Sequence, residues 1–398
     1  MGAASTPPGH ALARVAGIRE ANDLTVRWLR ALEAPSPVLS GAGAWPLLAA
    51  LAAGAAGKAR EELAEATGID PSAAMDAVRD YAGSLAASAA LRFSTGFWAS
   101  PLITLDPTWT DRLPAAWSGA LTGDLAADKR VLDAWADERT MGLIREMPIE
   151  LGPETMLVLA TALALRTEWA EPFADAPLMP QSGPWRTDRP WLGLTRSTTD
   201  LTALGTADGV TILTLRGRGD VDVHLAIGEP DASPAEVLAT AVHAADGRVT
   251  AAPAESGPGV TVGTEPSYEA DPQPFLRATT VGFDVTAEHD LLKLADVFGL
   301  RAATGVPGDH FPGISADRLA VSDAAQSAMA VFSAKGFEAA AVTVVGLRCA
   351  GAFMPPDGAD RKVVSVDFTR PFGYVAVHRP TGLALVAGWV GEPKPFPR

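Results

Sequence analysis

The run from Gly336 to Ala350 constrains the fold of this chain more than any other stretch. Small residues make up its first half and β-branched residues follow, a pattern that predicts a strand. A segment rich in Gly, Pro and Asp then continues to Asp360, as is typical of an irregular loop. Because Ala- and Val-rich runs are also common in core strands, two alternatives stay open. The run is either an ordinary buried strand or a strand-forming segment placed in a loop.

The composition indicates a globular chain with a net negative charge. Of the 398 residues, 47% are hydrophobic and 20% are charged, and 32 Lys and Arg against 47 Asp and Glu give a net charge of −15. This charge opposes binding to a phosphate backbone, so we expect no nucleic-acid partner. Cys349 is the only cysteine, which excludes an intrachain disulfide. Since Met1 to Ala16 lacks a signal-peptide pattern and no long apolar span occurs, we expect a cytoplasmic protein without a membrane partner.

Hydrophobic periodicity predicts a mixture of helices and strands along the whole chain. The continuously apolar segment from Met156 to Leu165 predicts a strand buried on both faces. No change in composition marks a linker, so we expect one domain over residues 1–398. The predicted helices cover residues 11–33, 44–56, 59–67, 107–117, 131–144, 234–245 and 290–298, and the predicted strands cover 91–99, 156–165, 185–227 as a meander, and 260–285.

Motifs for catalysis or metal binding are missing from the sequence. The six His residues show no spacing that places two on one helix face, and no Gly-x-Ser-x-Gly motif occurs. Carboxylate pairs such as Glu61 and Glu62 lie in charged segments that are typical of a solvated surface. Arg348 could lower the pKa of the neighbouring Cys349, but no His lies nearby, so an incidental thiol is the simpler interpretation. We therefore expect no catalytic residues, no metal and no cofactor.

Four groups of residues occur in the order and spacing of a known family. They form a Trp-bearing helix, a strand, a helix with the loop after it, and the C-terminal strands. The groups are Val131 to Trp135 with Thr140, Gly142 and Ile144; Ala162, Leu163, Arg166, Trp169, Pro172 and Phe173; Asp290, Leu291 and Leu300 with Phe311 to Ser315; and Phe368 to Phe372 with Thr381, Gly382 and Gly388 to Val390. From about Ala21 to Pro393 the chain resembles the serpin family, in its bacterial type. The resemblance implies an α+β serpin fold with three β-sheets, about eight to nine helices and an exposed reactive-centre loop at about residues 336–362.

The resemblance also implies a mechanism for the run that begins at Gly336. A target protease would attack the loop, and its N-terminal half would then insert into the main sheet as a new strand and trap the acyl-enzyme. The hinge of this movement would be Gly336, Phe337, Glu338, Ala339, Ala340, Ala341, Val342 and Thr343. Because side chains alternate along a strand, Phe337, Ala339, Ala341 and Thr343 would face the core.

The usual hinge length of the family places the reactive bond between Ala350 and Gly351. A small residue at this bond favours an elastase- or subtilisin-like target. The alternative bond, Arg348–Cys349, would call for a trypsin-like protease, and cleavage after Leu347 for a chymotrypsin-like one. An exposed loop able to become a strand also carries a risk of loop-insertion polymers, although we expect a monomer.

The chain departs from the family pattern at several positions. Ala334 and Gly282 stand where the family usually has a Glu and a Lys that pair. In the sheet-opening region, which also contains Trp169, the usual Asn, His and Ser align with Thr161, Gln326 and Gly43. Phe337 occupies a position where a small residue is usual, so its ring needs space in the core. Two functions remain: a suicide inhibitor of a serine protease, or a non-inhibitory protein with a binding, chaperone or small-molecule role. We expect no enzymatic activity.

Overall fold

A computed structural model of the protein describes residues 12–113, 118–267, 269, 271–305, 308–338 and 360–397. This part of the chain contains eight helices and seventeen strands. The helices are α1 Ile18–Ala31, α2 Gly41–Gly54, α3 Gly57–Thr67, α4 Ala74–Leu85, α5 Pro107–Thr110, α6 Leu125–Arg139, α7 Pro234–Ala245 and α8 Ala295–Phe298. The strands are β1 Leu91–Ala99, β2 Ser118–Ala120, β3 Leu157–Glu168, β4 Ala174–Leu178, β5 Trp191–Thr198, β6 Leu204–Ala207, β7 Val210–Leu215, β8 Val221–Ile227, β9 Ala252–Pro253, β10 Val260–Pro266, β11 Phe275–Val281, β12 Phe283–Asp290, β13 Ala325–Phe332, β14 Gly336–Glu338, β15 Asp360–Asp367, β16 Phe372–His378 and β17 Leu383–Val390.

The strands form three sheets, which confirms the predicted α+β serpin fold. Sheet A has the order β12-β13-β14-β3-β1-β2, and sheet B has the order β17-β16-β8-β7-β6-β9. Sheet C has the order β10-β15-β11-β5-β4. Sheet A is antiparallel at every pair except β1 with β2, which run parallel. The two strands that flank residues 339–359 therefore belong to different sheets, β14 to sheet A and β15 to sheet C.

Helix α2 is apolar on all sides, as expected of a helix that is buried on nearly all sides. It packs against α1, α3 and α4 and against one strand from each of two sheets, β3 and β17. Its N-terminus is capped by Ser40, whose Oγ accepts a hydrogen bond from the Gly43 amide at 3.1 Å. The N-terminus of α2 is thus fixed directly beneath sheet A.

Helix α6 lies over the opposite face of sheet A and begins earlier than the predicted helix 131–144. The Asp124 carboxylate accepts hydrogen bonds from the amides of Ala126 and Ala127, a cap that the prediction missed. The helix ends at Arg139, shortly before Gly142 takes a positive φ of 80°. A second, smaller apolar cluster, formed by Trp98, Leu121, Leu132, Ala136, Met147, Val158 and Ala160, joins α6 and the segment after it to the sheet.

Three further predictions about elements need correction. The strand at 156–165 is not buried on both faces, because Leu157, Leu159, Thr161 and Leu163 are only half-buried while Val158, Ala160 and Ala162 are buried. The predicted helix 107–117 is limited to α5, with residues 114–117 outside the described part. The predicted helix 290–298 begins as a 3-10 turn, Leu291–Leu294, before α8. None of the described helices has the length and apolar character that crossing a membrane requires.

Two histidines in sheet B make the stability of the fold depend on pH. His224 lies in β8 and His378 at the end of β16, where its Nδ1 is 2.9 Å from Thr381 Oγ1 and its Nε2 is 3.6 Å from Asp220 Oδ2. Burial lowers the pKa of both imidazoles, and nearby carboxylates, Asp222 for His224 and Asp220 for His378, oppose the shift. Both imidazoles therefore take up a proton less readily in the folded protein than in the unfolded chain.

We expect the melting temperature to fall as the pH is lowered from 7 to 5. The unfolded histidines take up a proton at a pH of about 6.5, whereas the folded ones resist it, so acid favours unfolding below that value. Thermal unfolding followed by circular dichroism across this range measures the effect. The variant His224→Gln should show a shallower fall than the wild type. A melting temperature independent of pH between 7 and 5 would contradict this assignment.

Candidate functional site

The strand β14 lies at the start of the run that the sequence analysis singled out. It pairs antiparallel with β13 on one side, where Phe337 lies opposite Phe332, and with β3 on the other, where Phe337 lies opposite Thr167. In the register of the backbone, Glu338 lies opposite Arg166 of β3. The first hinge residues, Gly336 to Glu338, thus already form the beginning of a strand inside sheet A.

Phe337 points into the core, in agreement with the predicted alternation of side chains. Its side chain is 1% exposed. The centre of its ring lies 6.5 Å from that of Phe332 and 5.9 Å from that of Tyr374 in sheet B. Phe332 in turn stacks on Phe283 at 5.1 Å. The space that this large hinge residue needs is therefore provided by an aromatic cluster between sheets A and B.

Beyond β14, the described part of the chain shows no hydrogen-bonded pairing between strands β3 and β13. A cavity of about 200 Å³ lies there, lined by residues of both strands, Leu157–Leu163 and Ala325–Met329. Apolar side chains from the layers on either side complete its walls. They include Leu47, Leu51, Ile144, Met147, Ile314 and Leu319. The half-burial of Leu157, Leu159 and Leu163 follows from this cavity.

Both strands are tied to the N-terminus of α2 at the middle of the cavity. Thr161 of β3 donates a hydrogen bond from Oγ1 to the Gly43 carbonyl at 2.8 Å. Gln326 of β13 accepts from the Ser40 amide and donates to the Ser40 carbonyl, each at 2.8 Å. The structure therefore brings Gly43, Thr161 and Gln326 together. We call Ser40, Gly43, Thr161 and Gln326 the latch.

Trp169 and Ala334 lie close together at the end of the site next to β14. Trp169 is fully buried and donates from Nε1 to the Ser333 carbonyl at 2.9 Å, while its amide donates to the Lys335 carbonyl at 2.9 Å. The Phe173 amide donates to the Ala334 carbonyl at the same distance. Backbone bonds on both sides of Ala334 therefore hold the segment before the hinge, without an ion pair at that residue.

Gly282 lies just before β12 and has both of its backbone groups bonded. Its amide donates to the Leu192 carbonyl and its carbonyl accepts from the Lys394 amide, each at 2.8 Å. A Cβ atom at this position would lie 2.7 Å from Leu192 Cδ2, so a lysine here requires Leu192 to move. Lys335 directly precedes the hinge in the sequence. Burial raises the pKa of Asp175 in β4, and the charge of Lys335 partly opposes that shift.

Several predicted site residues lie outside the described residues. They are Ala339, Ala340, Ala341, Val342, Thr343, Arg348, Cys349, Ala350 and Gly351. Their roles stay predictions. Sequence reasoning missed Ser40 and Tyr374. A Ser directly before an apolar helix is an N-cap signal that could have identified Ser40, whereas the packing of Tyr374 on Phe337 has no local signal. In the described ranges, no group of three or more His, Cys, Asp or Glu is arranged to hold a metal ion.

Breaking the latch should destabilise the protein. Gln326→Ala removes the partner of the Ser40 amide and one of the two partners of the Ser40 carbonyl, which also accepts from the Ala44 amide. Thr161→Val removes the hydroxyl that donates to the Gly43 carbonyl, so we expect each variant to lose about 1–3 kcal/mol of unfolding free energy. Urea unfolding measures this loss. Thr161→Ser, which keeps the hydroxyl, serves as the control and should stay close to the wild type. Unchanged stability in both latch variants would show that these bonds do not tie the strands to α2.

Removing the ring of Phe337 should release β14 and leave the rest of the core intact. Replacing a fully buried Phe by Ala costs about 3–5 kcal/mol when its strand cannot leave, but a strand of three residues can detach. We therefore expect Phe337→Ala to lose less unfolding free energy than Phe332→Ala, whose strand is fixed. Limited proteolysis should cut near Gly336 faster in Phe337→Ala than in the wild type, whereas Phe332→Ala should be cut there no faster than the wild type. Equal losses and equal cutting in the two variants would contradict the detachment of β14.

Comparisons with known proteins agree with this geometry. A family model described as Serpin (serine protease inhibitor) matches residues 19–182. No curated protein matches the chain by sequence.

Solved structures extend the likeness over nearly the whole chain. The thermophilic serpin Tengpin in its native state is 14% identical with a TM-score of 0.71, and the alignment covers 96% of each chain. The cleaved serpin 42Da is 15% identical with a TM-score of 0.71, covering 94% of this chain and 97% of that one. Human thyroxine-binding globulin, solved as a complex with its namesake thyroxine, is 16% identical with a TM-score of 0.67, covering 95% and 97%.

The family model accounts for the N-terminal part of the chain, and the solved structures account for the arrangement of all three sheets. The paired hinge, the aromatic cluster beneath it and the latch at the centre of sheet A lie within this shared framework. Residues 19–182 therefore match the serpin family model, and the chain as a whole has the serpin fold.

Proposed function

We propose that this protein inhibits a serine protease by inserting its cleaved loop into sheet A. The observation that carries the proposal is the position of β14, which is paired on both edges at the entrance to the cavity between β3 and β13. A strand that begins there can lengthen only by continuing between these two strands. The edges of β3 and β13 are the hydrogen-bonding partners that it would gain.

The registers of β14 define where the following residues would go on insertion. In an antiparallel pair, one step forward on one strand is one step back on its neighbour. From Phe337 opposite Thr167 and Phe332, Ala339 would lie between Leu165 and Ala330, and Ala341 between Leu163 and Ala328. Small inward side chains suit these positions, since Leu163 and Ala328 already line the cavity.

Continuing this register places Thr343 between Thr161 and Gln326, which are latch residues. All three side chains would be polar at the point where both strands contact α2. A Thr hydroxyl both donates and accepts hydrogen bonds, so Thr343 could join the latch without leaving a buried polar group unpaired. The polar centre of the cavity and the polar residue of the hinge would therefore coincide.

Insertion would supply the free energy for trapping the protease. Each new hydrogen bond of the ladder contributes about 0.5–1.5 kcal/mol net, and a strand with two neighbours forms many of them. The uncleaved protein is then a higher-energy state, and cutting the loop allows it to convert to the lower-energy state with the strand inserted. For the bond attacked we keep Ala350–Gly351 with an elastase- or subtilisin-like target, and Arg348–Cys349 with a trypsin-like target as the second choice.

The cavity also favours a second candidate, in which the protein binds a small apolar molecule and does not inhibit. Its walls are mainly Leu, Ile, Met and Ala side chains with a smaller number of polar groups, among them those of the latch, which is a common design of small-molecule sites. Thyroxine-binding globulin has the same fold and was solved with a bound small molecule. In this role, the ligand and the inserting strand would compete for one space.

Incubation with a panel of serine proteases, followed by denaturing electrophoresis, tests the inhibitor. We expect a covalent complex that survives denaturant and, for the cleaved protein, a melting temperature well above that of the uncleaved one. Ala341→Arg should abolish the complex but leave cleavage intact, because a buried Arg opposite Leu163 would block insertion. Ala340→Arg is the matched control, since the neighbouring residue faces outward and should permit the complex.

Cleavage by every protease without a complex, and without a rise in melting temperature, would overturn the inhibitor and favour the binding protein. A complex that forms with Ala341→Arg but not with Ala340→Arg would show that the alternation of side chains is reversed.

A further inference from the structure

Strand β15, to which the loop is attached at its distal end, is an internal strand of sheet C. On one side it runs parallel to β11, and on the other it pairs antiparallel with β10. The β10 register extends along the whole of β15, from Pro266 opposite Asp360 to Val260 opposite Val366. Strand β10 itself is at the edge of the sheet and largely exposed.

The backbone of the β15 residues nearest to the loop pairs with β10 alone. Pairing with β11 begins only at Val363, which lies opposite Phe275. The three residues before it, Asp360, Arg361 and Lys362, pair with Pro266, Glu265 and Thr264 of β10. Without β10, the ordered strand would therefore begin at Val363, and three more residues would belong to the loop.

Side chains from the same part of the chain reinforce this attachment. Arg361 lies 3.0 Å from a carboxylate oxygen of Glu269, and Lys362 lies 2.6 Å from one of Glu255. Glu265 of β10 forms two hydrogen bonds with Arg277 of β11, at 2.6 and 2.8 Å, so β10 is also linked across β15 to the next strand. Because these ion pairs are partly exposed, the backbone ladder is the larger contribution to the attachment.

We propose that β10 is a clamp that prevents the uncleaved loop from entering sheet A. The inference rests on the proposed function, because it concerns the same insertion. In the intact chain, β14 can lengthen only by drawing residues from the loop, and once the slack is used the next residues come from the start of β15. Each residue drawn from Asp360 to Lys362 breaks a pair with β10. Cleavage removes this restraint, since the two ends of the loop are then separate.

Proline substitutions in β10 test the clamp with a control built into the strand. Successive amides of a strand point to opposite sides, so Gly263→Pro and Thr264→Pro differ in whether the lost N–H faces β15 or the solvent. We expect one of the two to weaken the pairing and the other to be tolerated, as prolines are on edge strands. Val262→Pro has the orientation of Thr264→Pro and should match its behaviour.

Two measurements on uncleaved protein distinguish the variants, and neither needs a protease. Hydrogen exchange should be about tenfold faster in the variant that loses bonds to β15, at those amides between Asp360 and Lys362 that face β10. After incubation below the unfolding transition, this variant should convert to a monomer with a raised melting temperature, as expected when an intact loop has inserted. The tolerated variant and the wild type should not convert.

Unchanged exchange in all three variants would overturn the clamp, and so would faster exchange without conversion, or conversion to oligomers alone. Wild-type protein cleaved in the loop is measured in parallel. If its melting temperature rises while no variant converts, the clamp is wrong and the proposed function stands. If cleavage itself leaves the melting temperature unchanged, the proposed function fails, and the clamp fails with it.

Discussion

The attachment of β3 and β13 to the N-terminus of α2, rather than to each other, is the constraint on which the site depends. Thr161 and Gln326 reach the backbone of Gly43 and Ser40 with short hydrogen bonds, which fixes each strand to the helix below the sheet. A closed sheet would instead satisfy the two strand edges with each other, and adding a strand would first require breaking that ladder. Here the latch maintains the layer while the cavity runs between the strands.

The aromatic cluster at the end of the site next to β14 has the complementary role of fixing the register of the hinge. Phe337 is buried against Phe332 and Tyr374, and Trp169 holds the backbone before it. A large buried ring specifies the position of β14 more sharply than a small residue would, because shifting the strand by one residue turns the ring out of the core. The family's usual ion pair between the hinge segment and β12 is absent, and packing and backbone hydrogen bonds replace it at Ala334 and Gly282.

The molecule thus holds its loop from two sides by different means. At the proximal end, three residues are docked in sheet A next to a cavity into which they can extend. At the distal end, β15 lies between two strands of sheet C, and β10 covers the residues closest to the loop. An edge strand beside the loop attachment also covers main-chain groups that another molecule could otherwise pair with.

Much of the fold was predictable from sequence where one residue pattern decides one element. The strand at Leu91–Ala99 and the helix at Pro234–Ala245 match their predicted bounds, because alternation and helical periodicity were unambiguous. The start of α6 was missed because its cap, Asp124, precedes the apolar positions. The half-burial of Leu157, Leu159 and Leu163 was also missed, because an apolar segment of sequence does not show whether the strand it forms lies beside another strand or beside a cavity.

For the site, the sequence by itself determined the alternation of the hinge and the residues that stand in the family's sheet-opening positions. Only the tertiary structure decided that Phe337 has a place in the core, that Ser40 completes the latch and that β10 covers the start of β15. These features depend on contacts between segments far apart in the chain. Their strength comes from burial and from paired hydrogen-bonding groups, neither of which is a property of a local stretch of sequence.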